Sequence, residues 1–442
     1  MEKIGIIGAG HVGLVTAGCF AKLGYEVICG DNDIKKIEGI KNLIMPFYEP
    51  GLEKLVGEAC KSGNLRFTTS IEELTLKSGV IFIAVGTPAT EEGSADLSYV
   101  ENVTVEIAKA LTGIKGEETR GAYKLIVEKS TVPVLTGEWV KRTLALMAPT
   151  GIEFDVAANP EFLREGNAIR DFMEPDRIVV GVESERARKI FEEIYKPLGA
   201  PVVFTDVKSA EIIKHASNSF LALKISYINA ISQICERVGA DVEKVAEGMG
   251  LDRRIGRDFL KAGIGWGGSC FPKDVSAFIK LAEDIGYRFN LLKEVREINR
   301  EQRMLVLKKA KELLWNLKGK KVAVMGLAFK PDTDDVRESP AVDIINMLLK
   351  EQAEVVCYDP EAQGNMKKVF PGISYASDPY AAAENASLLV FLTAWKEFES
   401  IDFGRMKTLL AMPYIIDGRN FLDGVKLERA GFIYRGIGKH TK

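Results

Sequence analysis

The sequence begins with a glycine motif set between two short apolar runs. The run KIGIIG at residues 3–8 is followed by G-x-G-x-x-G, an amphipathic stretch, and a second apolar run, EVIC, at residues 26–29. This order of strand, glycine turn, helix and strand predicts a βαβ unit. An α/β domain with a parallel sheet is therefore expected in the N-terminal part of the chain.

The motif itself consists of Gly8, Gly10 and Gly13. The first glycine suits a tight turn, the second lets the backbone approach a dinucleotide pyrophosphate, and the third permits close helix packing. Asp31 ends the next strand, near the offset of ~20 residues expected for a carboxylate on the adenosine ribose. Because a carboxylate there repels a 2′-phosphate, NAD is favoured over NADP as cofactor. The alternative is that the glycines serve only a turn.

Apolar runs alternate with helical patterns through the rest of the N-terminal part, which predicts a doubly wound parallel sheet. Two loops, VGTP at 85–88 and STVP at 130–133, follow predicted strands at the ends where open α/β sheets place ligands. The further predicted strands are VIFIAV (80–85), KLIVE (124–128), VAAN (156–159), RIVVGV (177–182) and PVVFT (201–205).

The middle of the chain has a different pattern. From Ser209 to Val238, apolar residues recur at helical spacing without Gly or Pro, which predicts a long connecting helix. Helical patterns continue at 241–249, 272–285 and 289–317. Alternation of strands and helices then restarts at KKVAVMGLAF (320–329), with later runs at 354–359, 387–392 and 414–418.

The restart is a partial internal duplication, since both copies run from a strand through a turn and a helix to a strand followed by an acidic residue. The second copy lacks the glycine motif and is therefore expected to bind a ligand other than a dinucleotide. The predicted fold class is α/β, with two Rossmann-like doubly wound parallel-sheet domains joined by a central helical domain with a long connecting helix. The predicted domains are 1–206, 207–318 and 319–442, which suits a chain of 442 residues.

Composition excludes several classes of function. A net charge of −3 provides no basic field for nucleic acid, and three histidines are too few for a multi-histidine metal site, so no metal is expected. The uncharged stretch at 4–21 contains five glycines and is not expected to be a signal peptide or a membrane span. Six scattered cysteines without a C-x-x-C pair indicate reduced thiols and a soluble protein of the cytoplasm.

One of the six thiols has unusual surroundings. Cys270 lies in GIGWGGSCFPKD, where four glycines precede it and Pro272 suits the first turn of a helix. The positive end of such a helix, together with Lys273, would favour the thiolate form of Cys270. Cys270 is thus a candidate nucleophile, and the alternative is a small buried apolar residue. The other five cysteines are interpreted as packing residues.

Other polar residues fall at helical spacing. Lys214 and Asn218 are four residues apart on the long predicted helix, where a cation and an amide donor on one face would stabilise an oxyanion. Glu161 and Glu165 are also four apart, with an ordinary pair of carboxylates at a helix start as the alternative. Asp274 follows Cys270 by four residues and is a candidate for holding Lys273 or a water molecule.

These motifs together resemble the UDP-glucose/GDP-mannose dehydrogenase family. The resemblance rests on GAGHVGL, YEPGL, VGTP, STVP, NPEFLREG, the helix with Lys214 and Asn218, GWGGSCFPKD, GLAFKPDTDDVRES and DGRN, which cover nearly the whole chain in the family's order. It implies an N-terminal NAD domain, a central dimerisation domain and a C-terminal UDP-binding domain. The chain would then be a homodimer or a higher homo-oligomer.

The resemblance also implies a reaction. Members oxidise the primary 6-hydroxyl of a nucleotide sugar to a carboxylate in a four-electron reaction that consumes two NAD. Cys270 would attack the first-formed aldehyde to give a thiohemiacetal, and the second oxidation would leave a thioester for hydrolysis. Related enzymes that act on N-acetylated sugars usually lack YEPGL and the GGSCFPKD form, so UDP-glucose is the expected substrate.

Individual roles follow from the same resemblance. Lys214 and Asn218 would stabilise oxyanions, with Lys214 a candidate base, while Thr131, Glu161 and Asp274 would position or activate water. The implied cofactor contacts are Gly8, Gly10, His11, Val12, Gly13, Asp31, Lys36, Thr87, Pro88, Thr131, Glu165, Lys273 and Arg337. The implied substrate contacts are Glu161, Phe162, Leu163, Arg164, Glu165, Lys214, Asn218, Arg254, Phe259, Gly263, Gly267, Phe329, Lys330 and Arg419, with Arg254 lent across the dimer to the neighbouring active site.

Other functions stay open at this point. A dehydrogenase of a UDP-N-acetylhexosamine or of GDP-mannose would share these motifs. A two-electron NAD-dependent hydroxyacid dehydrogenase would share the N-terminal domain and the long helix, but it would not explain the third domain or the cysteine loop. A nucleotide-sugar binding or sensing protein that kept the fold is the alternative without catalysis.

Overall fold

The structure is a computed structural model that describes residues 3–90, 93–113, 122–149 and 151–439. The chain divides into two compact units, Met1–Ser217 with Ser276–Ile285, and Asn218–Val275 with Gly286–Lys442. Each unit contains one β-sheet. The three domain boundaries expected from the sequence stay predictions.

The sheet of the first unit has eight strands, which follow the order β3 (Leu65–Thr68), β2 (Val27–Gly30), β1 (Ile4–Ile7), β4 (Val80–Ile83), β5 (Tyr123–Glu128), β6 (Glu153–Ala158), β7 (Ile178–Gly181) and β8 (Val202–Thr205). The order reverses between β1 and β4, and this switch point is where doubly wound sheets bind ligands. Both of those strands are buried along their whole length, as expected for a sheet covered on two faces.

One strand pair of this sheet differs from the all-parallel prediction. Strand β7 pairs with β6 in the antiparallel direction through Ala158 and Gly181, whereas β7 and β8 are parallel to each other. The chain leaves the carboxyl end of β6 and enters β7 without a long helical crossover, and an antiparallel neighbour needs none. The prediction of a parallel sheet is therefore wrong for this one pair.

Helices cover the sheet of the first unit. The first of them, α1 (His11–Lys22), is buried from Gly13 to Ala21 and therefore packs into the core rather than lying on the surface. The others are α2 (Ile34–Lys41), α3 (Leu52–Lys61), α4 (Ile71–Lys77), α5 (Ser98–Leu111), α6 (Thr136–Met147), α7 (Ala168–Met173) and α8 (Glu185–Tyr195), with a short 3₁₀ turn at Lys196–Leu198.

The long connecting helix is present as predicted, and it is α9 (Val207–Val238). Three more helices follow it: α10 (Val242–Gly250), α11 (Phe271–Asp284) and α12 (Asn290–Leu314). Their bounds lie within a few residues of the predicted ones. The predicted helical region, which lies between the strands of the first sheet and those of the second along the chain, is therefore confirmed.

The sheet of the second unit repeats the strand order of the Rossmann half, as the internal duplication predicts. Its strands are all parallel and follow the order β11 (Ser374–Tyr375), β10 (Glu354–Tyr358), β9 (Lys321–Met325), β12 (Leu388–Phe391), β13 (Tyr414–Asp417) and β14 (Ile433–Arg435). The first helix after β9 begins only at Pro340, so no helix N-terminus follows this strand directly as α1 follows β1. The elements are β9 (Lys321–Met325), α13 (Pro340–Lys350), β10 (Glu354–Tyr358), α14 (Gln363–Val369), β11 (Ser374–Tyr375), α15 (Pro379–Ala383), β12 (Leu388–Phe391), α16 (Lys396–Glu399), α17 (Phe403–Leu409), β13 (Tyr414–Asp417), α18 (Gly424–Arg429) and β14 (Ile433–Arg435).

Candidate active site

The three glycines in the turn between β1 and α1 differ in how much space a side chain would have. Gly8 has φ of 108°, and a Cβ atom on it would lie 2.4 Å from the carbonyl oxygen of Ala84. A Cβ atom on Gly13 would lie 1.8 Å from the carbonyl oxygen of Gly8. At Gly10 a Cβ atom would meet nothing within 4 Å. Packing therefore requires the first and third glycines, while the second leaves open space at the N-terminus of α1, which suits a pyrophosphate.

Asp31 lies directly after β2 and holds the turn. One carboxylate oxygen accepts the N–H of Ala9 at 2.8 Å, and the same oxygen is 2.8 Å from Nζ of Lys36. Although burial opposes ionisation, these bonds and the N–H of Asp33 hold the pKa of Asp31 below its ordinary value. An ionised carboxylate at this position fits the adenosine ribose of NAD, and Lys36 lies beside it.

The VGTP and STVP loops are linked to each other at the ends of β4 and β5. The hydroxyl of Thr87 donates to the carbonyl oxygen of Thr131 at 2.8 Å, and the hydroxyl of Ser130 donates to that of Val85, also at 2.8 Å. Thr131 is partly exposed and Pro88 is exposed. Both loops therefore lie at the ligand edge of the sheet, as their positions after strands predict.

Lys214 and Glu161 form a buried pair in the first unit. The side chains are 4% and 5% exposed, and Nζ of Lys214 is 2.9 Å from the Glu161 carboxylate and 2.7 Å from the Glu161 carbonyl oxygen. The second carboxylate oxygen of Glu161 accepts the N–H of Leu163. Because water solvates neither charge, the ion pair and these hydrogen bonds must stabilise both groups.

A second buried lysine, Lys129, was not singled out from the sequence. Its Nζ donates to the side-chain and backbone oxygens of Asn159 at 3.0 and 3.3 Å. Burial lowers the pKa of Lys129 to about 8, Glu161 opposes that change, and the positive charge of Lys214 adds to it. Two lysines therefore influence one carboxylate at the carboxyl ends of β5 and β6.

The NPEFLREG segment is a loop, since α7 begins only at Ala168. Glu161 and Glu165 therefore do not share a helix face, and the interpretation as a helix-start pair is wrong. The ring of Phe162 is covered by the guanidinium of Arg177, 3.6 Å from its centroid. Arg164 is exposed and forms an ion pair with Asp171 at 2.6 Å. Leu163 and Glu165 are partly buried in the same loop.

Cys270 in the second unit immediately precedes α11. Its carbonyl oxygen accepts the N–H of Asp274 at 2.8 Å, so the helix begins one residue after the thiol. The helix starts at Phe271 rather than at Pro272, which brings its positive end closer to Cys270 than predicted. The thiol is partly exposed and its sulfur lies 3.6 Å from the hydroxyl of Ser269. A helix N-terminus at a partly exposed thiol favours the thiolate.

Asn218, Lys273 and Asp274 form a polar cluster at the start of the same helix. The amide of Asn218 donates to one oxygen of Asp274 at 2.6 Å. The other oxygen lies 3.1 Å from Nζ of Lys273. Asp274 is 1% exposed, so it holds an amide donor and a cation in place inside the protein. The structure thus brings together three of the predicted catalytic and cofactor residues within the second unit.

The glycines of the cysteine loop let it lie against the backbone and side chains of the second unit. A Cβ atom on Gly267 would lie 2.2 Å from the carbonyl oxygen of Glu338, and one on Gly268 would lie 2.7 Å from the ring of Phe329. Gly265, with φ of 97°, would bring a Cβ atom within 2.5 Å of Asn299. Any larger residue would push the loop away and shift Cys270 with it.

Two arginines and one asparagine bind the loop directly. Arg419 donates to the carbonyl oxygen of Gly265 at 2.7 Å, and Arg303 donates to that of Trp266 at 3.0 Å. Asn299 binds both the N–H and the carbonyl oxygen of Trp266, at 2.7 and 3.0 Å. Asn299 and Arg303 were not predicted, because each is an ordinary polar residue on a helix and its partner is far away in sequence.

Arg419 is a partly buried cation. Besides Gly265 it donates to the carbonyl oxygens of Leu392 and Phe329. Burial lowers its pKa to about 10, the charge of Arg303 adds to this, and Asp417 opposes it. The guanidinium donates to neutral carbonyl groups, and its positive charge suits a phosphate group.

The remaining predicted substrate and cofactor residues of the second unit lie in several places. Arg254 is 89% exposed and paired with Asp252 at 2.7 Å. Arg337 is exposed and forms a bidentate pair with Asp335. Phe259 is partly buried with φ of 64°, and Lys330 lies 5.6 Å from the centroid of the Phe329 ring. A Cβ atom on Gly263 would lie 2.9 Å from the carbonyl oxygen of Gly418.

The other thiols differ from Cys270. Cys19, Cys29, Cys235 and Cys357 are buried, as predicted for packing residues, whereas Cys60 is exposed in the last turn of α3 and the packing interpretation is wrong for it. Burial raises the pKa of each of these five thiols above its ordinary value. A raised pKa disfavours the thiolate and therefore nucleophilic reactivity.

Glu211 on α9 gives the first unit a pH-dependent stability. Burial raises its pKa from 4.5 to about 7, although the N–H groups of Leu135 and Gly137 oppose this. The unfolded chain releases this proton near its ordinary value, so the folded state loses relative stability as pH rises from 4.5 to 7. In Glu211→Gln this contribution is absent. The thermal midpoint of the wild type minus that of Glu211→Gln is expected to decrease as pH rises from 4.5 to 7. A difference that does not change with pH would contradict the assignment.

The described residues contain no group of three or more His, Cys, Asp or Glu side chains arranged to hold a metal ion. Over the same part of the chain, no helix is both long enough and apolar enough to cross a bilayer.

Comparisons with known proteins find similar sequences over nearly the whole chain. Sequence models of the UDP-glucose/GDP-mannose dehydrogenase family match three parts of the chain: its NAD binding domain matches residues 2–199, its central domain 208–301 and its UDP binding domain 323–424. The chain is 47% identical over 440 residues to the UDP-glucose 6-dehydrogenase TuaD of Bacillus subtilis, covering 99% of this chain and 94% of that protein. It is 44% identical to the UDP-glucose 6-dehydrogenase of Rhizobium meliloti, covering 99% of each.

Solved structures are similar over the same extent. A UDP-glucose dehydrogenase from the hyperthermophilic archaeon Pyrobaculum islandicum has 40% sequence identity and a TM-score of 0.92, covering 99% of this chain and 98% of that one. A UDP-D-ManNAc dehydrogenase from Pyrococcus horikoshii has 28% identity and a TM-score of 0.85, covering 99% of each chain.

Proposed function

The chain belongs to the UDP-glucose/GDP-mannose dehydrogenase family, and we propose that it oxidises UDP-glucose to UDP-glucuronate through covalent intermediates on Cys270. It is an NAD-dependent oxidoreductase. The observation that carries the proposal is the position of Cys270 at the N-terminus of α11, beside the cluster of Asn218, Lys273 and Asp274. UDP-glucose is favoured because similar proteins over the full chain are UDP-glucose 6-dehydrogenases.

The first step removes two electrons from the 6-hydroxyl of the sugar. NAD, when bound, supplies the hydride acceptor for each of the two oxidations. Lys214 takes the hydroxyl proton and then stabilises the oxygen, and its pair with Glu161 holds Nζ in place. Lys129, which donates to Asn159, is a second buried lysine whose charge interacts with both members of this pair. The product of this step is the aldehyde.

The second step needs the thiolate. The sulfur of Cys270 adds to the aldehyde carbon, the C=O bond becomes a C–O⁻ bond, and Asn218 and Lys214 stabilise that oxyanion. Loss of a second hydride from the same carbon converts the thiohemiacetal into a thioester. Two oxidations therefore remove four electrons, and the carbon stays bound to sulfur between them.

Hydrolysis completes the reaction. Water attacks the thioester carbon, the C–S bond breaks, and the carboxylate leaves while Cys270 regains its thiolate. Thr131, Glu161 and Asp274 position or activate this water. Asp274 suits the role because it is buried and already bound to Asn218 and Lys273. None of these steps uses a histidine.

The UDP-sugar is assigned mainly to the C-terminal domain. Arg419 and Lys330 provide cations for the diphosphate, and the partly buried guanidinium of Arg419 is held mainly by carbonyl groups. Residues 1–206 are assigned to NAD binding, 207–318 to dimerisation and 319–442 to UDP binding. The other proposed substrate contacts are Phe162, Leu163, Arg164, Arg254, Phe259, Gly263, Gly267 and Phe329.

A homodimer through α9 fits the exposed apolar residues of this helix. Phe220, Tyr227 and Ile234 recur every seven residues, and they are 61%, 50% and 52% exposed. Residues at this spacing lie along one stripe of a helix, and such stripes mark protein interfaces. Arg254, which is exposed, would then reach the neighbouring active site. A glutamate substituted for one of these residues would place a single unpaired charge on the stripe, and that charge would oppose association.

Tyr227→Glu is expected to give a monomer with little activity, because the stripe becomes charged and Arg254 no longer reaches a partner. Light scattering coupled to size-exclusion chromatography measures the mass. Val425→Glu is the matched control, since Val425 is 59% exposed on α18. A Tyr227→Glu dimer of full activity would contradict the interface.

The substrate is tested by a screen for NADH release. UDP-glucose, UDP-galactose, UDP-N-acetylhexosamines and GDP-mannose are offered at equal concentration with NAD. UDP-glucose is expected to have the highest kcat/KM. A higher value for an N-acetylated sugar or for GDP-mannose would assign the chain another substrate specificity of the same family.

Reduced thiols without a disulfide suit the cytoplasm, where we place the enzyme.

A further inference from the structure

Glu49 of the YEPGL segment is a buried carboxylate to which the mechanism above gives no role. Its side chain is 1% exposed. Gly51, with φ of 81°, turns the chain into α3, and the N–H of Leu52 bonds to the carbonyl oxygen of Glu49 at 3.1 Å. The backbone of Glu49 is therefore fixed by the start of a helix, and its side chain points inward.

The carboxylate joins two segments that are far apart in sequence. One oxygen accepts the N–H of Ala168 at 2.8 Å, and the other accepts the N–H of Gly166 at 2.6 Å. The second oxygen also lies 3.0 Å from Nε2 of His11. His11 is the first residue of α1 in the cofactor turn, while Gly166 lies near the end of the loop that begins at Glu161, and Ala168 begins α7 directly after it.

Two further contacts surround His11 and Glu49. The ring of His11 lies 4.4 Å from the ring of Phe47, measured between centroids, on the chain segment just before Glu49. Helix α3 packs closely on α1, because a Cβ atom on Gly18 would lie 2.8 Å from the side chain of Leu55. A displacement at the N-terminus of α1 therefore changes the position of Glu49, and with it the loop of residues 161–168.

We propose that Glu49 is a positioning residue that couples cofactor binding at the α1 turn to sugar binding at the loop of residues 161–168. This inference rests on the proposed function, in which Phe162, Leu163 and Arg164 contact the substrate. A carboxylate shared between both segments lets a ligand that orders one of them favour the bound arrangement of the other. Coupling of this kind is reciprocal, so each ligand raises the affinity for the other by the same factor.

The coupling is measured with NADH and UDP-glucose. This pair does not react, because the cofactor is already reduced. The Kd of NADH, followed by its fluorescence, is expected to fall about fivefold or more in the wild type when UDP-glucose is saturating. In Glu49→Gln the ratio of the Kd of NADH without UDP-glucose to that with UDP-glucose is expected to approach one. The reason is that the amide NH₂ of glutamine faces a backbone N–H, so only one acceptor oxygen remains.

Two further variants separate coupling from folding. His11→Phe keeps a ring against Phe47 and leaves the bonds of Glu49 to the loop intact, but it removes the contact with Nε2. It is expected to fold normally and to lose the coupling as well. Asp378→Asn is the matched control, since Asp378 also accepts two backbone N–H groups but at the start of α15. Its coupling factor is expected to equal that of the wild type.

The outcomes distinguish this inference from the proposed function. Full coupling in a folded Glu49→Gln or in His11→Phe would overturn the role of Glu49, and so would a wild type in which UDP-glucose leaves the Kd of NADH unchanged. Failure of the wild type to oxidise UDP-glucose in the turnover assay would instead overturn the proposed substrate. Loss of coupling in both variants, with retention in Asp378→Asn, supports the inference.

Discussion

Cys270→Ala is expected to abolish formation of the carboxylate product, with a loss of at least about a thousandfold, because no other group takes the place of a missing nucleophile. Without the sulfur the aldehyde cannot be held as a thiohemiacetal, so at most one NADH forms per sugar. Binding of NAD is expected to persist, since the cofactor turn lies at Gly8 to Gly13. Mass spectrometry of the product and fluorescence titration of the cofactor measure the two effects separately.

Cys60→Ala provides the control for this experiment. Cys60 is exposed, but it lies in the last turn of a helix and has a raised pKa. Its removal is expected to leave turnover unchanged. Acid formation at a normal rate by Cys270→Ala would assign the chemistry to a different group and would remove the covalent mechanism.

The second large effect is expected for Lys214→Met. Loss of the cation removes the proposed base and oxyanion donor, which costs turnover about 10²–10³-fold. It also leaves the Glu161 carboxylate buried without its partner, a loss of about 3–5 kcal/mol in the free energy of unfolding. Turnover and thermal stability are measured on the same preparation.

A double variant separates these two roles of Lys214. In Lys214→Met/Glu161→Gln no buried charge of the pair remains, so stability is expected to recover while turnover does not. Lys208→Met is the control on the same helix, because Lys208 is 51% exposed and forms an exposed pair with Glu138. Recovery of turnover together with stability would show that Lys214 only maintains the fold.

Much of the fold follows from local sequence patterns. The central strands β1, β4 and β12 are continuous apolar runs because both faces of each are buried, and such runs are recognisable without a structure. The short edge strands β3, β11 and β14 were missed. In β3 (LRFT), an exposed arginine interrupts the apolar pattern, as is common where one side of a strand faces solvent.

The candidate site was predictable only in part. The cofactor turn and the cysteine loop have signatures within a few residues, because glycines mark places where a Cβ atom does not fit. Lys129, Asn299 and Arg303 have no such signature, and the YEPGL motif that contains Glu49 does not show what its carboxylate binds. Each acts through a partner that folding brings near, as Glu49 does with Gly166, and a single charged residue in a sequence does not identify its partner.

The yield of NADH per UDP-glucose tests the central claim most directly. A known, limiting amount of UDP-glucose is incubated with excess NAD until NADH formation stops, and the product is identified by mass spectrometry. Four-electron oxidation through a thioester on Cys270 predicts two NADH per sugar, with UDP-glucuronate as the product. A plateau at one NADH, with the aldehyde or a ketone as the product, would contradict it.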